Sequence, residues 1–360
     1  MAASRLRPPA VLFGVPVDDV TMPETLDLIA ALVAHGRVTG ATHQIATVNV
    51  DFLVNALNDS ETKSILQNAD LCLPDGMPVI WGARPLGMPL RERVAGSDLV
   101  PLLIDASRSN GCRVHVFGSS EAVADAARTM LRARYPGARF SIDPGPVIAD
   151  VHDVGDGVLN SIAAVDADIF CVALGNPKQE RFIKAHRARL GTPVMMGVGG
   201  SLDMLVGLRR RAPTWMQRLG LEWVARAAQE PQRLGRRYAH DIRVIAPAFV
   251  NEWRSGRRRR HGAGTELTIG SDRVRIRLGG EQLAAPDAWS RAANKVLAGA
   301  PLHVDAAWVR SIQDAALAQL VGLTRVARRG GSVVTWAGVD DAIAAAWVRT
   351  GLSAPLELNL

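Results

Sequence analysis

Between Val11 and about residue 206 the spacing of apolar and polar positions switches repeatedly. Short runs rich in Val and Ile, as in "HQIATVNVDFLV", "CRVHVFGSSEAVADAARTML", "ADIFCVALGNPKQERFIKAH" and "PVMMGVGGSLDML", give way through Gly-containing turns to amphipathic stretches of helical length. Apolar strands joined by helices predict an α/β, Rossmann-like parallel sheet with helices on both faces. In such a sheet ligands collect beyond the carboxyl ends of the strands, where these turns fall.

After residue 206 the texture changes twice. Residues 207–253 read as Arg-rich helices broken at Pro213, Pro231 and Pro247, and "RSGRRRRHGAG", 254–264, has no apolar periodicity and reads as a linker. Residues 265–360 predict a small α/β domain. In it "DRVRIRLGG" alternates as a strand, "PLHVDAAWVRS" is strand then loop, and "DAALAQLVGLTRVARRGGSVVTWAGV" is helix, Gly turn and strand. A final helix, "DDAIAAAWVRTGL", precedes a strand-like "LELNL". The predicted units are thus a core at 1–206, an Arg-rich appendage, a linker and a C-terminal domain.

Charge sharpens this division. The chain of 360 residues carries a net +7, yet residues 207–260 hold fourteen Arg, no Lys and four acidic residues, which leaves the remainder slightly acidic. Such a segment suits phosphates, in a nucleotide, a nucleic acid or an anionic membrane surface. Nucleic acid is disfavoured, because no recognition aromatics are interleaved and no binding motif matches. Cys72, Cys112 and Cys171 lie in strand-like contexts without metal-ligand spacing and read as buried free thiols. Pro8 and Pro9 interrupt the basic start "MAASRLRPPAVLFG", so no signal peptide is predicted, and no run reaches the roughly 18 apolar residues of a membrane span.

The strand ends carry the candidate chemistry. Asp75, set between Pro74 and Gly76 after "DLCLP", is either a turn former or a reacting carboxylate. Thr47 and Asn49 end an earlier strand and offer a hydroxyl and an amide. "VFGSS", with Gly118, Ser119 and Ser120, and "GVGGSLD", with Gly199, Gly200 and Asp203, are strand-to-Gly turns that open helices. Free backbone N–H groups there favour a diphosphate, unless the glycines merely make tight turns. Neither is a G-x-G-x-x-G fingerprint, which argues against a nicotinamide dehydrogenase. In "GNPKQE", Lys178 and Gln179 follow a Gly/Pro turn, and Glu180 fits a first-turn helix carboxylate.

The series "TVNVDFL", "ADLCLPDGMPVIW", "VFGSS", "ALGNPKQE", "GVGGSLDMLVG" and "RRAPTWMQRLGLEWVARAAQEPQRLGRRY" resembles, in order and spacing over roughly residues 11–250, the bacterial WecG/TagA/CpsF glycosyltransferases. The resemblance implies inverting, metal-independent transfer of a sugar, N-acetylmannosamine or a similar N-acetylhexosamine or uronate. The donor would be a UDP-sugar and the acceptor a polyprenyl-diphosphate-linked sugar at the cytoplasmic membrane face, in cell-surface polysaccharide synthesis. It implies no cofactor. Asp75 matches the family's general base, Thr47 and Asn49 line its sugar site, and Gln179 and Asp203 match donor-sugar contacts. Arg93 in "RERVAGSDL" matches an active-site arginine, and Leu202 stands where many relatives carry Phe. Arg226, Arg233 and Arg236 match an appendage that binds the acceptor diphosphate, with Trp215, Trp223 and Trp253 suited to a membrane interface. Relatives can self-associate, so the resemblance leaves the oligomeric state open, with a homo-oligomer as one alternative.

The C-terminal segment is outside that likeness and resembles a STAS domain, which implies docking to a protein partner. Asp314 stands where phosphorylated members carry their Ser, either as a fixed charge or as a plain helix cap. The competing functional class is a non-catalytic nucleotide-sugar sensor signalling through this segment. Such a sensor would have no need of Asp75.

Overall fold

The computed structural model describes residues 7–207, 235–257, 266–270, 272–277, 286–305 and 314–337, with the isolated positions 216, 224 and 232. An N-terminal hairpin, β1 (Ala10–Leu12) and β2 (Val15–Val17), leads into α1 (Met22–Thr39). There follow β3 (His43–Val48), α2 (Val50–Asn58), α3 (Ser60–Asn68), β4 (Leu71–Pro74), α4 (Met77–Ala83) and α5 (Gly96–Asn110). Next come β5 (Val114–Phe117), α6 (Glu121–Arg134), β6 (Phe140–Asp143), α7 (Asp156–Ala164), β7 (Ile169–Val172), α8 (Lys178–Leu190), β8 (Val194–Gly197) and the short α9 (Ser201–Leu205).

Strands β3 to β8 form one six-stranded sheet in the order β4-β3-β8-β7-β5-β6, parallel throughout. Period-two alternation sends side chains to opposite faces. Ile45, Val114, Val116, Ile169, Cys171, Val194 and Met196 face one apolar cluster with residues of α1, α5 and α6. Ala46 and Val48 face the hairpin and α2, while Phe117, Phe170, Val172 and Met195 face α7 and α8. All three cysteines are free and buried, and burial pushes the Cys72 and Cys171 thiols up to about 12, which makes them inert packing groups.

Helix α10 (Arg236–Arg257) packs on the same side as α2, with Ile245 against the hairpin cluster and Phe249 near Gly82. Pro247 lies inside this helix instead of breaking it, and the helix runs on to Arg257, past the expected linker start at 254. Pro213, Pro231, Trp215 and Trp223 lie outside the described residues, as do the expected last helix and strand.

A second sheet has the order β12-β11-β10-β9, with β9 (Glu266–Ile269) antiparallel to β10 (Val274–Arg277). Strand β10 is parallel to β11 (Leu302–Asp305), and β11 to β12 (Val334–Ala337). Helices α11 (Pro286–Leu297) and α12 (Asp314–Arg329) cover it, around Trp289, Val296, Leu320, Leu323 and Val326. Residues 318–327 of α12 are buried without interruption, because this helix also packs on the N-terminal hairpin. At Gly322 an added Cβ would sit 2.6 Å from both Pro9 Cδ and Trp289 Cζ2, so the close approach needs glycine. Arg325 donates from Nη1 and Nη2 to the two Asp18 carboxylate oxygens at 3.0 and 3.1 Å, and from Nη2 to the Ala69 carbonyl at 2.9 Å. Arg328 binds the side chain and carbonyl of Asn68. The C-terminal unit is thereby seated at the amino end of edge strand β4.

Candidate active site

The carboxyl ends of β3, β4, β5, β7 and β8 open into one cleft of 530 Å³, within the usual range for a small-molecule site. Its wall includes Thr47, Asn49, Asp75, Ser119, Ser120, Gln179, Gly199, Gly200 and Asp203, nine positions that the sequence separates by as much as 156 residues.

Each is placed by a local device. Strand β4 stops at Pro74, and Asp75 follows with its N–H donating to the Val48 carbonyl at 2.8 Å, which ties it to the end of β3. Gly76 then takes φ +129°, a value costly for any residue with a side chain, and is itself the cap of α4. Thr47 is buried, and its hydroxyl donates to the Gly197 carbonyl at 3.2 Å, which joins β3 to β8. The Asn49 side-chain oxygen caps α2 through the Phe52 N–H at 3.2 Å, leaving its NH2 group as the donor toward a ligand.

Beyond β5, Gly118 takes φ +103° and Ser119 φ +91°. A positive φ on a non-glycine residue stores strain, a feature that gathers at functional turns. Ser120 accepts from the Val123 N–H and caps α6, so the unpaired N–H groups of a fourteen-residue helix open at the cleft. Beyond β8, the Gly199 N–H donates to Gln179 Oε1 at 2.8 Å, and Gln179 Nε2 donates to Glu180 Oε1 at 2.8 Å. Both Gln179 and Glu180 are 1% exposed. Gln179 therefore belongs to the wall of the cleft, with its amide engaged inside the protein.

Three expected residues stand apart from this wall. Arg93 pairs with Asp98 in the first turn of α5 at 2.8 Å, and Gly118 lies behind Ser119. Arg236 is exposed on α10, whereas its neighbour Arg237 is the arginine that lines the cleft. Arg226 and Arg233 lie outside the described residues. Sequence reasoning also passed over Ser97, Asp51, Asn176 and Ser201, all in the wall. The Asn176 amide donates to the Asp51 carboxylate at 3.0 Å, a contact across 125 residues that no local pattern announces.

The electrostatics divide the site. Burial, with a smaller push from Asp51, raises the Glu180 carboxyl to about 8. Burial and then Asp51 raise Asp241 of α10 to about 6, and its Oδ2 has no hydrogen-bond partner among the described residues. Among the described residues no group of three or more His, Cys, Asp or Glu is arranged to hold a metal ion. Nor is any described helix long and apolar enough to cross a membrane.

A parallel, helix-covered sheet whose strand ends meet in one polar cleft defines a Rossmann-like α/β enzyme, and comparison with known proteins makes it a glycosyltransferase. Residues 10–259 match the family described as Glycosyl transferase WecG/TagA/CpsF family, and the chain belongs to it. It is also similar to N-acetylglucosaminyldiphosphoundecaprenol N-acetyl-beta-D-mannosaminyltransferases of Staphylococcus aureus strains MW2, NCTC 8325 and COL. Each is 30% identical over 225 residues, 62% of this chain and 86% of the relative. The family match takes in α10 and ends before β9, so the C-terminal sheet is additional to it.

Proposed function

We propose that this chain transfers N-acetylmannosamine, or a closely similar N-acetylated sugar, from a UDP donor to a polyprenyl-diphosphate-linked N-acetylglucosamine. Transfer would invert the anomeric centre, with Asp75 as general base. The observation that carries the reading is Asp75 at the end of β4, in the wall of the cleft shared by the ends of β3, β5, β7 and β8. The names of the relatives supply the sugar and the acceptor.

In this reading the acceptor hydroxyl attacks the anomeric carbon as the bond to the UDP oxygen breaks, and Asp75 takes the hydroxyl proton. Charge then grows on the departing diphosphate. The N-terminus of α6 at Ser120 and the Gly200 N–H of the turn after β8 offer donors for it, and Arg237 offers a cation, with no metal ion called on. Asn49 and Asp203, both in the cleft wall, are assigned to the sugar hydroxyls or the N-acetyl group. Arg226, Arg233 and Arg236 are assigned to the acceptor diphosphate at the membrane surface. Helix α10 supports that assignment, because Ile242 and Val250 are exposed on the helix that carries Arg236, Arg243 and Arg254. The mixed four-stranded C-terminal sheet supports a STAS-like reading of residues 265–360, with the catalytic core as one docking partner in cis.

The test is UDP release from UDP-N-acetylmannosamine, with a short-chain lipid-diphosphate N-acetylglucosamine, by wild type and Asp75→Asn. A loss of about a hundredfold or more in the variant, with UDP binding retained, is expected of a general base. Equal rates would make Asp75 a turn former. Binding without turnover in the wild type would favour a nucleotide-sugar sensor.

A further inference from the structure

We propose that Glu180 is a positioning residue: its buried carboxyl group fixes the Gln179 amide, which in turn holds the Gly199–Gly200 turn in place for the donor. The inference rests on the assignment of that turn to the donor diphosphate.

The first-turn position of Glu180 on α8 suggests an exposed carboxylate favouring the helix dipole, but the side chain turns inward and is 1% exposed. A backbone N–H can only donate, so the 2.8 Å contact from Gly199 N requires Gln179 to present its oxygen there. The Gln179 NH2 group must then face Glu180, where Oε1 accepts at 2.8 Å. The three groups form one directional relay, with Glu180 as its anchor. Strand β8 is cut to suit it, since a Cβ on Gly197 would overlap both Glu180 Oε1 and Gln179 Nε2. The second oxygen, Oε2, is buried and has no hydrogen-bond partner among the described residues.

This arrangement favours the protonated acid. Burial raises its pKa to about 8, and Asp51 of α2 adds to the shift. The other charged groups around α8 are engaged elsewhere: Asp59 and Glu61 of α3 with Arg181 and Lys184, and Asp156 of α7 with Arg189. Strand β8 contributes no titratable group, and Asp241 of α10 interacts with Asp51. A neutral acid can still accept from Gln179 through one oxygen while placing no negative charge behind a turn meant for a diphosphate. Ionisation above about pH 8 would put that charge beside the donor and weaken its binding.

Donor KM, kcat and UDP affinity measured from pH 6.5 to 9.5 in wild type, Glu180→Gln and Glu180→Leu test this. In wild type the donor KM is expected to rise above pH 8 with little change in kcat. Gln, which keeps an acceptor and cannot ionise, should hold KM flat across the range. Leu, which leaves the Gln179 amide without its acceptor, should raise KM roughly three- to tenfold at every pH. A flat wild-type profile, or a Gln variant that follows wild type above pH 8, would overturn the proposal. Amide exchange at Gly199, compared at one pH without ligand, reads the same relay independently and should quicken in Glu180→Leu alone. Unchanged protection there would overturn the role of Glu180. A wild type that binds no UDP, with Gly199 exposed only in the Leu variant, would instead fault the donor assignment and leave the relay standing.

Discussion

At the carboxyl end of β4, Asp75 stands in the wall of an open cleft, whereas at the amino end of the same strand Asp18 is sealed against the fully buried guanidinium of Arg325. Asp18 also accepts from the Cys72 N–H at 2.7 Å, so both its oxygens are committed. Only four residues, Leu71–Pro74, separate the two settings. A carboxylate in the wall of a cleft is open to a ligand, while one held by two guanidinium donors fixes a junction instead. On the proposed function, the same residue type serves chemistry at one end of the strand and architecture at the other.

Removing the sealed carboxylate should break the contrast most severely. Asp18→Ala leaves Arg325 buried with only the Ala69 carbonyl and should cost about 3–5 kcal/mol of junction stability. Calorimetry should show a separate, earlier transition for the C-terminal unit, with UDP binding intact. A single unmoved transition would mean the junction is no stronger than a surface contact. At the open end, Arg237→Ala should weaken UDP or acceptor binding about tenfold at low salt, with the loss shrinking as ionic strength rises. A salt-independent loss would point to packing and not to charge.

The smallest effect concerns Asp241, whose folded pKa of about 6 lies above the ordinary carboxylate value. The native state then holds its proton longer than the unfolded one, so stability falls as pH rises from about 4 through 6 and the deficit is constant above that. Asp241→Asn should therefore raise the melting midpoint by a few degrees at pH 7 and leave it unchanged near pH 4. Equal shifts at both pH values would show that its burial, and not its charge, matters.

Much of this was legible from period and punctuation. Ile45 and Ala46, or Phe170 and Cys171, declare a strand buried on both faces because both neighbours are apolar, and the Gly and Asn that follow mark where each strand ends. Asp75, Thr47 and Asn49 could be singled out because they stand at such ends and match the positions of the family's site. What the sequence hid is long-range. Asn176 meets Asp51, and Arg237 reaches the cleft although Arg236 carries the family pattern, because a helix places adjacent residues about 100° apart and only packing chooses between them. Pro247 was misjudged as a breaker, since a long helix anchored at Ile245 and Phe249 tolerates one lost hydrogen bond. Glu180 reads as a first-turn helix carboxylate, and nothing local foretells that it turns inward.

The Arg325–Asp18 contact joins residues 307 positions apart. During synthesis the hairpin, β4 and the whole cleft leave the ribosome long before α12 does, so for most of that time Asp18 and the Ala69 carbonyl face water. The seat at the amino end of β4 is thus made well before the helix that fills it, and the junction is the part of the molecule completed late.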